Sequence, residues 1–386
     1  MHCEMEAIRC TLVRAGTSKG IFLMENELPK EKVLRDKVIL SIFGSPDIRQ
    51  IDGLAGADVL TSKLAIIGPS SRKDADVDYT FGQVSIDEAF IDYGGNCGNI
   101  SSAVGGFAID MGLVEAVEPV TTVRIRMTNT DRILIAEVPV KNGKAAVEGD
   151  YHIDGVPGTG AKITLDWSDV VGGITGKLLP TGNAVDRIEA GDQFYQVSVV
   201  DAGNVVIFIR AKEFGLTGVE TPAQIEADPA LMERIEEIRG KVCQKIGLVE
   251  NWQEAAVVTP YQPFFAIVDK PDTYTCFNGE KVRAEDIDVV SRLLFMLHMH
   301  KAYPITGTVA TGAIARIPGS IIYDLISDSA KNETVLRIGH PSGIISVEAE
   351  AKECNGQVDI TRLGVYRTAR IIMDGNVFIR KTIFKD

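Results

Sequence analysis

The segment that most limits what this chain can fold into is DYGGNCGNISSAVGGFAIDMGLV, residues 92–114. Ile100, Ala103, Val104, Phe107, Ala108 and Met111 recur at spacings of three and four, which predicts a helix opening just after Cys97. Asn99 or Ser101 can cap its start and Gly112 can end it. Strand signals lie on both sides: AIRCTLVRA, GIFLM, KLAIIG, VDYTFGQVSI and AFIDY before, TTVRIRMTN and RILIAEVPV after. The second half repeats the layout. FYQVSVVDAGNVVIFI and PFFAIV lead to a helical pattern from Ala284 to His300, then to a polar turn and small-residue helix in KAYPITGTVATGAIARIPG. GIISVEAEA and NVFIRKTIF restore the strands, and an acidic amphipathic stretch, AQIEADPALMERIEEIRGKVCQKIGLV, is inserted earlier. Two halves, each wrapping strands about one central helix, suggest a duplication. The Gly/Pro-rich GDYHIDGVPGTGAKITLDWSD and TGKLLPTGN separate them, so a boundary is expected near residue 185, giving domains 1–185 and 186–386. The last strand is expected to pack back on the first domain.

A length of 386 residues allows two such domains, and 45% hydrophobic with 24% charged residues is ordinary for a globular protein. The formal charge of −13 argues against a nucleic-acid surface. It leaves open a local cationic pocket for an anionic ligand. Six cysteines, at 3, 10, 97, 243, 276 and 354, form no CxxC and have no histidine partner at zinc spacing. Reduced thiols and a cytoplasmic location are expected. MHCEMEAIRCTLVRAG has no signal-peptide pattern, and no apolar run reaches membrane-span length.

Several motif matches fail on context. GTSKG at 16–20 fits G-x-S-x-G, but strand-like IFLM follows where a helix is required. GGITGKLL lacks phosphate-loop spacing and the Ser/Thr after Lys177, and GGNCGN lacks a third glycine. Clustered metal ligands are missing, so no metal is required.

What remains is three Gly-rich turns bearing reactive side chains. RAGTSKG carries Arg14, Thr17, Ser18 and Lys19; QIDGLAGADVLTSKLAII carries Ser62 and Lys63; YGGNCGN carries Cys97. Glycine lets backbone N–H groups approach a ligand, and a helix start adds a positive dipole end. Together they suit carboxylate oxygens beside one thiol and one amine. Each residue also has an ordinary explanation. A small cysteine can simply fill a turn, although a helix N-terminus is also where thiols become better acids. Most lysines are solvated, but one ahead of LAII should be partly buried, where a lysine can serve as a base. Ser18 fits turn bonding and ligand contact equally well. His298 and His300 bracket Met299, so one should face inward and one outward; structural roles are the simpler assignment for both.

Taken together, RAGTSKGIFL, GSPDIRQIDGLAGADVLTSKLAIIG, DVDYTFGQVSID, YGGNCGNISSAVGGFAI, IDGVPGTGAKI, GKLLPTGN, MHKAYPITG and GVYRTARIIMDG resemble the methylitaconate isomerase (PrpF) family. Its relatives are the 2-methylaconitate cis–trans isomerases and the 4-oxalomesaconate tautomerases. The resemblance runs from about residue 7 to 376. It implies an α+β, diaminopimelate epimerase-like fold of two similar domains, each with strands curled about a central helix and the active site in the cleft between them. It also implies Lys63 and Cys97 as the acid/base pair with Ser18 close by, and no cofactor or metal. The epimerase itself uses two cysteines, but the second-half turn here, KAYPITGTVATG, has none, so a two-thiol racemase is not expected.

The implied reaction moves a double bond in an unsaturated di- or tricarboxylate by allylic proton transfer, with 3-methylitaconate to 2,3-dimethylmaleate the first expectation. Substrate-binding candidates are the turns holding Gly16, Thr17 and Ser18 and holding Asn96, Gly98 and Asn99, with Lys301 and Thr306 from the second half. GLAGADVLTSK stands where methylaconitate isomerases carry a Gly-Gly-Ala-Thr stretch, and HMHKAYPITG differs from the tautomerase turn. Aconitate or methylaconitate isomerisation and oxalomesaconate tautomerisation are the alternatives. A non-catalytic polycarboxylate-binding accessory protein is the reading from another class. The expected partner is a small-molecule polycarboxylate, not nucleic acid or membrane, and a homo-oligomer is left open.

Overall fold

A computed structural model describes residues 3–295, 298–354 and 357–384. The chain divides into two compact units, Met1–Leu165 with Tyr366–Asp386, and Asp166–Val365.

Unit 1 contains β1 (Met5–Ala15), β2 (Ser18–Met24), α1 (Lys32–Phe43), β3 (Lys63–Pro69), β4 (Val77–Val84), β5 (Ile91–Asp92), α2 (Gly98–Asp110), β6 (Val120–Met127), β7 (Arg132–Lys141) and β8 (Lys144–Ala145), and β9 (Ile163–Asp166) closes its first stretch. β1 and β2 pair antiparallel, β2 and β3 parallel, β3 and β4 antiparallel, β4 and β6 parallel, β6 and β7 antiparallel. Parallel neighbours need a crossover, and α1 and α2 occupy the two crossovers. β5 joins the far end of β4 just before α2 begins.

Unit 2 contains β10 (Asp186–Ala190), β11 (Gln193–Ala202), β12 (Asn204–Arg210), α3 (Pro222–Glu226), α4 (Pro229–Lys245), α5 (Ala255–Val258), β13 (Phe264–Asp269), β14 (Tyr274–Thr275), β15 (Lys281–Val282), β16 (Val289–Phe295), β17 (His298–Met299), α6 (Ile305–Ile314), α7 (Ile321–Leu325), α8 (Asp328–Asn332), β18 (Val335–His340) and β19 (Gly343–Cys354). β20 (Gln357–Arg367) carries the chain back into unit 1, where β21 (Ala369–Arg380) pairs along β1. The pairing of unit 2 follows the same succession: β11–β12 antiparallel, β12–β13 parallel, β13–β16 antiparallel, β16–β18 parallel, β18–β19 antiparallel. Short β17 sits on the end of β16 just ahead of α6, as β5 does on β4 ahead of α2. The molecule is therefore an α+β protein of two similar units, each built on one internal helix.

Burial explains why those helices are made of small residues. Eleven of the thirteen residues of α2 are buried, and all ten of α6. β6 and β7 alternate buried and less buried positions, turning Val123, Ile125, Leu134, Ala136 and Val138 inward. A Cβ on Gly105 would lie 2.8 Å from Val138 Cγ2; one on Gly307 of α6 would lie 2.7 Å from Leu293 Cδ1. Only a glycine surface lets the strands come this close.

Two sequence expectations are corrected. The helical pattern expected from Ala284 to His300 is instead a single 3-10 turn at Ala284–Asp286 followed by strand, with residues 296–297 outside the described residues. VVSRLLF (Val289–Phe295) is buried on both faces between β13 and β18, and a doubly buried strand has no alternation to separate it from a helix. The units also divide at Leu165 rather than near 185. Residues 166–178 are tied to unit 2: Trp167 N donates to Leu363 O (3.0 Å), and the Asp201 carboxylate accepts from Ile174 N, Thr175 N and Thr175 Oγ1 at 2.6–2.9 Å.

Candidate active site at the start of the central helix

The amine expected from the sequence begins β3. Lys63 is 9% exposed, its Nζ donates to Gln83 Oε1 at 2.8 Å, and it lies 5.5 Å from the centre of the Phe81 ring. Gln83 is oriented in turn, its Nε2 donating to Ser62 O (2.9 Å) and Val59 O (3.2 Å). The register explains the placement: in the pairings of β3, Lys63 sits opposite Gly20 of β2 and Gln83 of β4. Gly20 has no room for a side chain, because a Cβ would meet Ile100 Cδ1 at 2.8 Å and Lys63 O at 2.9 Å. Ile100 belongs to the first turn of α2, so the Lys63 backbone is drawn against the start of that helix.

The thiol occupies the N-cap of the same helix. Cys97 has extended backbone angles (φ −120°, ψ 104°), its carbonyl accepts from Ser101 N and Ser101 Oγ, both at 2.9 Å, and no side chain caps the helix. The first N–H groups of α2 are thus left for a ligand, whereas side chains cap α1, α3, α4, α7 and α8. β4 links the two reactive groups. Tyr79, Phe81 and Gln83 lie two apart along it and share a face; Phe81 and Gln83 meet Lys63, while Tyr79 is near Cys97. Burial holds the Tyr79 phenol well above its ordinary range, a charge on Cys97 acts in the same direction, and Ser101 opposes both.

The β1–β2 turn completes the cluster. Gly16 takes φ +54°, and its N donates to Thr368 O at 2.9 Å. A Cβ there would strike Asn99 Oδ1 at 2.2 Å. Asn99 is spoken for: Nδ2 donates to Thr17 Oγ1 (3.0 Å) and, more weakly, to buried Ser18 Oγ (3.5 Å), while Oδ1 accepts from Arg367 Nε (3.1 Å). Arg14 points to the same turn, donating to Thr368 O and Thr368 Oγ1 at 2.5 and 2.7 Å. Asn96 Nδ2 donates to Thr130 Oγ1 at 3.2 Å, and its Oδ1 is buried with no partner among the described residues.

Gly16, Thr17, Ser18, Lys63, Asn96, Cys97, Gly98 and Asn99 therefore gather in unit 1 at the start of α2. Lys301 and Thr306 belong to unit 2. Lys301 is exposed and its carbonyl accepts from Ser342 Oγ. Thr306 is buried in the first turn of α6, whose start no side chain caps, and Asn204 Nδ2 donates to its Oγ1 at 2.9 Å. His298 is exposed and 3.6 Å from Glu226, whereas burial pulls the His300 imidazole below its ordinary value. Arg367 was not anticipated as a site residue. It is 7% exposed; burial lowers its guanidinium to about 10, with Tyr151 and Cys97 pulling the other way. Its only signal was membership of the GVYRTARI block.

The family model described as PrpF protein matches residues 5–380. The chain belongs to the PrpF family. It is 54% identical over 375 residues to 3-methylitaconate isomerase of Eubacterium barkeri, spanning 97% of both chains. Identity is 41% over 373 residues to 4-oxalomesaconate tautomerase of Pseudomonas putida, spanning 96% of both. It is 38% over 388 residues to 2-methyl-aconitate isomerase of Shewanella oneidensis, spanning 97% of both. A crystal structure of methylitaconate-delta-isomerase aligns with TM-score 0.92 and 52% identity, covering 98% of this chain and 97% of that one. A hydroxyproline epimerase from Agrobacterium vitis aligns at TM-score 0.52 and 12% identity over 98% of this chain and 94% of its own, so this PrpF-family chain shares its fold alone.

Proposed function

We propose that this PrpF-family chain interconverts 3-methylitaconate and 2,3-dimethylmaleate by allylic proton transfer between Lys63, Cys97 and substrate. The observation that carries the substrate assignment is the 54% identity, over 97% of both chains, to a protein named 3-methylitaconate isomerase. A fixed amine whose backbone lies near the first turn of α2, and a thiol on the N-cap residue of that helix, support the chemistry.

In 3-methylitaconate the reacting C–H is flanked by a carboxylate and an alkene. Lys63 Nζ, as the base, removes that proton, and the electron pair spreads into the carboxylate and across the double bond as a dienolate. Protonation of the terminal methylene, with Cys97 as the acid partner, makes it a methyl group and completes the double-bond shift. The shift is redox-neutral, and passage of the proton from Lys63 back to Cys97 restores both groups for the next turnover. Its difficulty is charge, because the intermediate loads more negative charge onto an already anionic carboxylate. Preorganised N–H donors at the uncapped start of α2, with the buried Ser18 hydroxyl, suit that charge. The free cysteines fit a reducing cytoplasm, where we place the enzyme; among the described residues no helix is long and apolar enough to cross a membrane.

The substrate is tested by adding 3-methylitaconate, aconitate and oxalomesaconate separately to purified protein and following ultraviolet absorbance. Fastest turnover of 3-methylitaconate is expected. Turnover of a tricarboxylate alone would move the chain to another branch of the family, and turnover of none would leave a binding protein.

A further inference from the structure

Among the described residues Arg367 is a buried cation with no carboxylate partner. Nε donates to Asn99 Oδ1 at 3.1 Å and Nη1 to Tyr366 O at 2.7 Å, both neutral acceptors, and Nη2 has no protein partner among the described residues. No carboxylate pairs with it there. Structural buried arginines in unit 2 are more fully satisfied: Arg292, 1% exposed, gives Nε to Glu220 O and Nη1 to Ser291 O and lies 4.6 Å from the centre of the Tyr274 ring, and Arg239 has a carboxylate. At 2% exposure Arg239 gives Nε and Nη2 to the Glu236 carboxylate and Nη1 to the carbonyls of Thr259 and Gln262. Burying a guanidinium is costly unless a counter-charge compensates it, so lone buried arginines are rare.

The location supplies the missing counter-charge. Asn99 lies in the first turn of α2, so its bond to Nε holds the guanidinium against a helix start that no side chain caps. Cys97 is close enough that a charge on it acts on Arg367. A carboxylate bound there would meet a fork of N–H donors from arginine and the helix N-terminus together, a geometry that carboxylates satisfy bidentately. We propose that Arg367 holds one carboxylate of the substrate at the start of α2, with Asn99 as the positioning residue that aims it. Resting on the isomerase reading of this site, the assignment names which side chain binds the diacid. Of the two carboxylates the one held is that on the reacting carbon, because that one takes up charge in the dienolate, where a cation helps most.

Binding can be measured without turnover, by calorimetry with methylsuccinate, a saturated diacid, and with its monoamide lacking the carboxylate beside the branched carbon. The native chain should bind the diacid at least tenfold more tightly than the monoamide. Arg367→Gln should weaken the diacid at least tenfold and shift the monoamide less than twofold, and Arg367→Lys should fall between. Asn99→Asp keeps the arginine but sets an anion 3.1 Å away in place of the amide oxygen, and should weaken the diacid similarly. Equal weakening of both ligands by Arg367→Gln would mark the residue as structural and overturn the proposal, as would unchanged diacid binding in Asn99→Asp. Failure of the native chain to isomerise 3-methylitaconate while this binding pattern held would instead fault the reaction assigned above.

Discussion

At Lys63 an amine is withdrawn from water and given one geometric partner, the amide oxygen of Gln83, which is itself held by two backbone carbonyls. Gln83→Leu removes that partner from a nearly buried donor. The variant should lose about 1–3 kcal/mol of stability in urea melts. Its kcat should fall tenfold or more, because a base that wanders by an ångström loses its aim. A kcat that stays native-like would show that Gln83 does not position the amine. The placement of Lys63 and Cys97 was legible because its signals are local: a lysine just ahead of an apolar strand, a cysteine between glycines at a helix start. Arg367 was not, because its meaning comes from Asn99, 268 positions away in sequence. Asn99 was only half legible. Its position at the helix start was visible, but not that its side chain is committed to Thr17 and Arg367.

The central helices make a different kind of prediction. Gly105→Ala forces a methyl to 2.8 Å from Val138, and Gly307→Ala to 2.7 Å from Leu293, so each should cost about 1–3 kcal/mol by overpacking. Gly95→Ala meets nothing within 4 Å and should change stability by less than about 0.5 kcal/mol. Chemical denaturation of the three variants checks the contrast, and equal effects would contradict it. Both central helices could be seen in the sequence because their small apolar residues keep a helical period. Val289–Phe295 could not, since a strand covered on both faces gives a continuous apolar run whose identity is settled by β13 and β18.

At the scale of the whole molecule the duplication was visible as a repeated order of strands and helix, and the structure turns it into a repeated succession of parallel and antiparallel pairings. The division between units was less legible, because Asp201 captures the 174–175 turn through contacts that composition does not reveal. The second unit also carries a pH dependence. Burial raises the Cys243 thiol from 9.0 to about 11 and the Tyr303 phenol from 10.0 to about 12. Below pH 9 both are neutral folded or unfolded and have no effect. Between pH 9 and 11 the unfolded thiol loses its proton while the folded one keeps it, so stability falls as pH rises. Urea midpoints should therefore decline across that window, and Cys243→Ala should make the decline shallower.

The most direct test of the account is solvent deuterium exchange with 3-methylitaconate in heavy water, followed by mass spectrometry and proton NMR. The native protein should place deuterium in the new methyl group of 2,3-dimethylmaleate, Lys63→Ala should abolish incorporation, and Cys97→Ser should slow it at least tenfold. Near-native incorporation in both variants would contradict the assignment of this amine and this sulfur to the proton transfer.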